Sequence, residues 1–208
     1  MNRANLRDYI TINEGLRLSV YLDTLGNSTI GVGFNLERAN AIEKISELGL
    51  CYYSLKSGVL SFTIDQAMKL LEEDIDNSEV SATLLFCNFH TLSRVRQIVL
   101  TDMAFNLGQT RLSRFVNLIA AVKAENWEKA SREMQNSAWA NQVGKRGRWN
   151  IQAMRSNHLP NYYSELPKDY LDYFYPNNSF KNINSTKEKV ENKKRSFWPR
   201  LFDKIFSL

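Results

Sequence analysis

Cysteine, histidine, proline and glycine are all scarce in this 208-residue chain, at two, two, four and nine copies. Cys51 and Cys87 are too few for a disulfide framework, and both read as small buried hydrophobes. His90 and His158 stand alone, so no metal-ligand spacing exists and no metal is implied. No apolar run reaches the length of a membrane span. The N-terminal stretch MNRANLRDYITINEG has no apolar core, so a secretory signal is not expected. The chain is expected to be made in the cytoplasm, and a target beyond it would require release or export by another protein. There is no internal repeat, no helix-turn-helix and no single-strand-binding motif, and a nucleic-acid partner is therefore not expected.

What is present is ordinary for a soluble globular protein, with 43% hydrophobic and 24% charged residues. The length suffices for one well-buried core, whole or split into two lobes. The net charge is +5, and it is unevenly spread. Lys187, Lys189, Lys193, Lys194, Arg195, Arg200 and Lys204 face only Glu188, Glu191 and Asp203, while the rest is nearly balanced. A basic protein suits an anionic partner, whether a cell-wall polymer, a membrane surface or a nucleic acid, and charge alone does not separate the three.

Periodicity predicts a short helix over Leu6–Asn13, with Leu6, Tyr9 and Ile10 on one face, and it carries Glu14 at its C-terminal end. Strands and turns follow to about Leu36. Arg38–Leu48 reads as a helix stopped by Gly49, and Leu50–Phe62 as a loop or short hairpin. Thr63 and Gln66 form a capping box opening a long helix to Leu85, long enough to bridge two lobes. Leu92–Leu107 is apolar nearly all round, which predicts a buried central helix ending at Gly108. Leu112–Ala124 reads as another apolar helix, Asn126 caps the next, and Trp139 begins a short piece before the basic run Lys145, Arg146, Arg148. Pro160, Pro167 and Pro176 mark a loop-rich, tyrosine-rich stretch. Asn177–Ser196 is polar and reads as a linker, and FWPRLFDKIFSL at the end has an amphipathic helical pattern. That tail either lies on anionic membrane or outer-membrane lipid or folds back over apolar surface.

The stretch with the most chemistry runs from Glu14 to Gly33, EGLRLSVYLD then TLGNSTIGVG. Glu14 and Asp23 are two carboxylates near strands, and the Thr29 hydroxyl follows six residues after Asp23. Gly31 and Gly33 alternate with Ile30 and Val32, which predicts a strand face left bare for something large to approach. Two carboxylates beside such a face suit a sugar cleft. Hydrolysis of a glycosidic bond requires one acid on the leaving oxygen and a second carboxylate on the other face of the sugar.

The pattern EGLRLxxYxD followed by GxxTIGxG resembles the catalytic signature of the phage-type lysozymes, the bacteriophage endolysins of glycoside hydrolase family 24. MAFNLG (Met103–Gly108), SRFVNLIAAVKAENWEKA (Ser113–Ala130), SAWANQ (Ser137–Gln142) and Arg146 are also similar to that family. The likeness covers roughly Leu6 to Tyr163. Phe34 departs from it, standing where better-known members carry a histidine.

The resemblance implies a mostly α, α+β, two-lobed fold, with a small β-hairpin lobe (about 14–62) and a helical lobe (63–165 plus the N-terminal helix) around a buried central helix. Residues 1–165 would be the catalytic domain and 166–208 an extension. It implies cleavage of the β-1,4 bond between N-acetylmuramic acid and N-acetylglucosamine in peptidoglycan, by a monomer without cofactor. Glu14 would be the general acid, with Asp23 and Thr29 placing the attacking water. Asn35 and Phe105 match cleft-lining positions, although Phe105 also reads as core. Arg146 matches an arginine that holds the catalytic glutamate, or else belongs to a solvated basic face. Action on the cell wall would follow holin-type release or dedicated export. The competing class is a wall-binding or structural protein that keeps the fold without turnover.

Overall fold

A computed structural model describes residues 3–176. The chain divides into two compact units, Met1–Glu165 and Leu166–Leu208. The linker and tail expected beyond Asn177 lie outside the described residues. In the second unit the described part contains one helix, Lys168–Phe174, within the stretch expected to be loop-rich.

The first unit is mostly helical with one small sheet, an α+β lysozyme-like fold. Helix α1 (Arg3–Glu14) buries Leu6, Tyr9 and Ile10 and ends at Gly15. Gly15 takes φ 79° and donates its N–H to the Thr11 carbonyl at 2.7 Å, a left-handed cap that glycine adopts without steric cost. The sheet is antiparallel in the order β1 (Arg17–Leu22), β2 (Ser28–Gly31), β3 (Phe34–Asn35). Tyr21 pairs with Thr29, and Thr29 pairs with Asn35, so Thr29 sits on the middle strand between them.

Gly31 ends β2 and Gly33 lies in the turn that follows, and they leave no bare strand face. Their φ values are 67° and 72°, and they carry the chain from β2 into β3. A Cβ on Gly31 would meet Phe62 and Ala67 at 3.5 Å, and one on Gly33 would meet the Glu14 Oε2 at 3.1 Å. The space these glycines open is filled from within the protein, and at Gly33 by the Glu14 carboxylate itself. Phe34 is buried at 2% exposure, with the Arg38 guanidinium 3.6 Å above its ring.

Helix α2 (Ala41–Glu47) is followed by α3 (Tyr52–Lys56), one short helical turn within the segment expected to be loop or hairpin. The Tyr52 hydroxyl ties it to the Leu36 carbonyl at 2.8 Å. Helix α4 (Ile64–Leu85) opens with the capping box, Gln66 N–H to Thr63 Oγ1 at 3.2 Å and Thr63 N–H to Gln66 Oε1 at 2.9 Å. It packs on α1, β2 and α5.

Helix α5 (Arg94–Leu112) is the central helix. Gly108, with φ 70° and ψ 161°, kinks it, and the chain resumes a helical turn to Leu112 where a stop was expected. The next helix, α6 (Val116–Lys123), accordingly starts later than its apolar pattern suggested. Around α5 a core gathers Leu100, Met103, Leu118, Met134, Trp139 and Met154. Helices α7 (Trp127–Gln135), α8 (Ala138–Gln142) and α9 (Lys145–Ser156) complete the unit. Asn126 caps α7 through Lys129 N–H at 2.9 Å. Both cysteines, expected inside, are exposed: Cys51 stands just before α3 and Cys87 just after α4.

Candidate active site

Glu14 is the last residue of α1, and the cap at Gly15 turns the chain toward β1 directly after it. Its side chain keeps 22% exposure. One carboxylate oxygen, Oε1, accepts from Arg146 Nη1 at 2.5 Å, and the other lies against Gly33. Arg146 belongs to the first turn of α9, after Gly144 at φ 57°, and is 6% exposed. It is an enclosed side chain, and the solvated basic face considered for it does not describe it.

Behind Arg146 lies a carboxylate that the sequence reading passed over. Asp102 of α5 has no exposure and takes Arg146 Nε and Nη2 in a fork, both at 2.9 Å. Asn150 Nδ2 donates to Asp102 at 2.7 Å, Asn13 Nδ2 at 3.2 Å, and Tyr9 Oη in turn donates to Asn150 Oδ1 at 2.9 Å. Burial works against the charge of Arg146, but the carboxylates of Asp102 and Glu14 outweigh it and push its pKa up. Tyr9 is also pushed up, first by burial and then by the Asp102 charge. The signal for Asp102 was present in the run VLTDMAF, because a lone carboxylate inside an apolar helix requires a buried counter-charge.

Asp23 follows β1 and organises the turn to β2. Its Oδ1 accepts the N–H groups of Leu25 and Asn27, each at 2.8 Å, and Oδ2 accepts Asn27 Nδ2 at 3.1 Å. Hydrogen bonds from Asn27, backbone and side chain, hold the Asp23 carboxyl below the usual range. Thr29 is buried, and its hydroxyl donates to the Asn27 carbonyl at 3.2 Å. Asn27, in the turn between β1 and β2, therefore joins Asp23 to Thr29. Tyr21, cross-strand partner of Thr29, is pushed up chiefly by burial, and it feels the charges of Arg17, Glu14 and Asp23. Both carboxylates thus lie within electrostatic reach of one β1 side chain.

Asn35 spends its side-chain oxygen on its own turn, accepting from Glu37 N–H at 2.7 Å. Phe105 is half-buried on α5, three residues beyond Asp102 and so on the same helical face. Among the described residues no group of three His, Cys, Asp or Glu side chains converges as a metal site.

Comparison with known proteins gives this arrangement a context. The family model described as phage lysozyme matches residues 11–156, from the end of α1 through α9. The "Probable T4-type lysozyme 2" of Dictyostelium discoideum is 27% identical over 76% of this chain and 98% of its own length. The "Probable T4-type lysozyme 1" of the same organism is 26% identical over the same shares. The "Pre-baseplate central spike protein Gp5" of Enterobacteria phage T4 is 27% identical over 67% of this chain but only 25% of its own length. The matched span contains Glu14, the Asp23–Thr29 turn, Asp102 and Arg146, and on this evidence the chain belongs to the phage lysozyme family.

Proposed function

We propose that the protein is a peptidoglycan hydrolase that cleaves the β-1,4 bond between N-acetylmuramic acid and N-acetylglucosamine by single displacement. The observation that carries this reading is the mounting of Glu14. Its carboxylate stands at a helix end, one oxygen fixed by an enclosed arginine and the other against a glycine turn, while a fifth of the side chain stays open. Such a group can meet a leaving oxygen without reorganising.

Glu14 is the proton donor to the glycosidic oxygen. Asp23, ionised and with its oxygens turned into the β1–β2 turn, orients the attacking water. Thr29 Oγ1 gives its proton to Asn27 and retains lone pairs that accept from that water. Asn35 and Phe105 line the path of the sugar. In an inverting mechanism the two carboxyl groups stand far enough apart, roughly 6.5–9.5 Å, to admit a water between them. The substrate lies outside the cytoplasm, so the protein acts after holin-type release or dedicated export. The basic stretch Lys187–Lys204 supplies attraction to anionic lipid or wall polymer.

Lysis of permeabilised cells, followed by turbidity, tests the assignment. Glu14→Gln keeps the shape and an acceptor for Arg146 but has no proton to donate, so lysis should stop while circular dichroism stays parental. A Glu14→Gln variant that lyses as fast as the parent would refute it. The anomer first released from purified peptidoglycan separately tests single displacement. A parent that sediments with peptidoglycan yet releases no reducing ends would instead favour the wall-binding reading.

A further inference from the structure

Asp102 has no part in the chemistry above, yet its surroundings are those of a built device. Four donors converge on its carboxylate, two on each oxygen. Oδ1 takes Arg146 Nη2 and Asn13 Nδ2, and Oδ2 takes Arg146 Nε and Asn150 Nδ2. Arg146 Nη2 also reaches the Asp102 backbone carbonyl at 3.2 Å. Only a group that accepts at both ends satisfies four such donors. An asparagine in either orientation would press its NH2 against two of them. The donor on Asn150 is itself aimed, because Tyr9 Oη holds the amide by its oxygen.

The geometry also divides the guanidinium. Nε and Nη2 are given to Asp102, and Nη1 to Glu14. A guanidinium is planar, so fixing two nitrogens fixes the direction of the third. We infer that Asp102 is a positioning residue for the reaction at Glu14: its carboxylate sets the plane of the Arg146 guanidinium and takes a share of its charge, so Glu14 meets one N–H of a partly neutralised cation. The inference rests on the proposed role of Glu14 as proton donor. A donor must be reloaded with a proton in every cycle, and an undivided cation beside it would oppose that. Asp102 lets the same arginine hold Glu14 in place at a smaller electrostatic penalty. Among the described residues, the titratable groups shown to feel this cluster include Tyr9 on α1, which feels Asp102 and Arg146, and Tyr21 on β1, which feels Arg17, Glu14 and Asp23.

The test compares kcat/KM against pH on solubilised peptidoglycan for the parent and Asp102→Asn. A 13C titration of the Glu14 side-chain carboxyl accompanies each. With Asp102 neutral, Arg146 turns its whole charge on Glu14, so the alkaline limb should move about one pH unit toward acid. Activity on that side should then fall about tenfold. A folded Asp102→Asn whose limb and carboxyl titration overlay the parent's would overturn the inference, because a merely structural role lowers the melting temperature without moving either. Should Asp102→Asn not fold, Asn150→Ala decides. It takes one donor from Asp102, leaves that carboxylate more charge for Arg146, and should move the limb toward alkali; an unmoved limb again refutes. The carboxyl titration needs no turnover. If Glu14→Gln retains lysis, the catalytic assignment fails while the action of Asp102 on Glu14 is still decided by the titration.

Discussion

Gly147 couples the site to the packing of the helical core, and replacing it with alanine tests that coupling. Gly147 is buried in the first turns of α9, next to Arg146. A Cβ built there would lie 2.8 Å from the Ala140 carbonyl oxygen, 3.1 Å from Ala140 Cα and 3.2 Å from Val143 Cγ2. Two of those neighbours are backbone of α8 and cannot rotate aside, so α8 and α9 must separate by roughly half an ångström to restore ordinary contact. Overpacking of this kind costs about 1–3 kcal/mol. Alanine returns about 1 kcal/mol through its better helix propensity. The net is a loss of up to about 2 kcal/mol, or a fall of up to roughly 8 °C in Tm for a unit of this size. The same displacement carries Arg146 away from Glu14 and Asp102. If a misplacement of about 1 Å costs on the order of a hundredfold in rate, half of that should cost about tenfold. Thermal unfolding and the lysis assay read the two effects separately. Gly58→Ala is the comparison: Gly58 has φ 80° but nothing within 4 Å of its Cβ position, so that variant should lose stability through strain and keep its lysis rate. A Gly147→Ala protein more stable than the parent would refute the contact, and one that is destabilised but lyses at the parental rate would refute the coupling.

Three further outcomes follow from the same geometry. Asp23 titrates below its ordinary value of 3.8 because the folded turn binds its ionised form, so the stabilisation is complete above that value and is lost as pH falls through the lowered one. The amide resonances of Leu25 and Asn27 should therefore move together only at the acid end of a pH series, and in Asp23→Asn that movement should vanish; its persistence would assign it elsewhere. Gly33→Ala forces a φ of 72° on an L side chain and puts a Cβ 3.1 Å from Glu14 Oε2. It should cost about 1–2 kcal/mol in conformation and more than tenfold in lysis, and a parental lysis rate would show that Glu14 is not held against this turn. Tyr9→Phe leaves Asn150 Oδ1 without its 2.9 Å donor and should lower stability by about 1–3 kcal/mol in urea unfolding, a loss an unchanged midpoint would contradict.

Local rules read the helices well where a cap and a stripe agree. Thr63 and Gln66 announce α4 because the box is a bond between near neighbours, and Asn126 announces α7 for the same reason. Glu14 and Asp23 are legible because one signature of twenty residues, Glu14 to Gly33, carries them both. What escaped was set at long range. Gly31 and Gly33 alternate as a strand would, but only the arrival of Phe62, Ala67 and Glu14 shows what their missing side chains make room for. The α3 turn depends on Tyr52 reaching back to Leu36. The Gly108 kink was half legible: glycine marked the break, and nothing nearby said the helix would resume. Arg146 lies among Lys145 and Arg148, and only the family likeness pointed to its hold on Glu14, since its partners are 44 and 132 residues away.

That separation bears on why the buried charges are there. A buried ion pair is weak evidence for stability, because desolvation consumes most of what the attraction supplies. Glu14, Asp102 and Arg146 come from α1, α5 and α9, and no two of them are neighbours in the chain. With Asp102 fully enclosed, an arrangement lacking Arg146 would strand a carboxylate in an apolar core, and one lacking Asp102 would strand a cation. The three helices are therefore compatible in the register that brings Nη1 to Glu14, and misdocked alternatives carry an uncompensated charge. On this argument the cluster specifies where α1 ends relative to α5 and α9, and with it where the Glu14 carboxylate stands. Hydrophobic side chains of the same volume could fill the space, but they would tolerate sliding of the kind that a proton donor cannot.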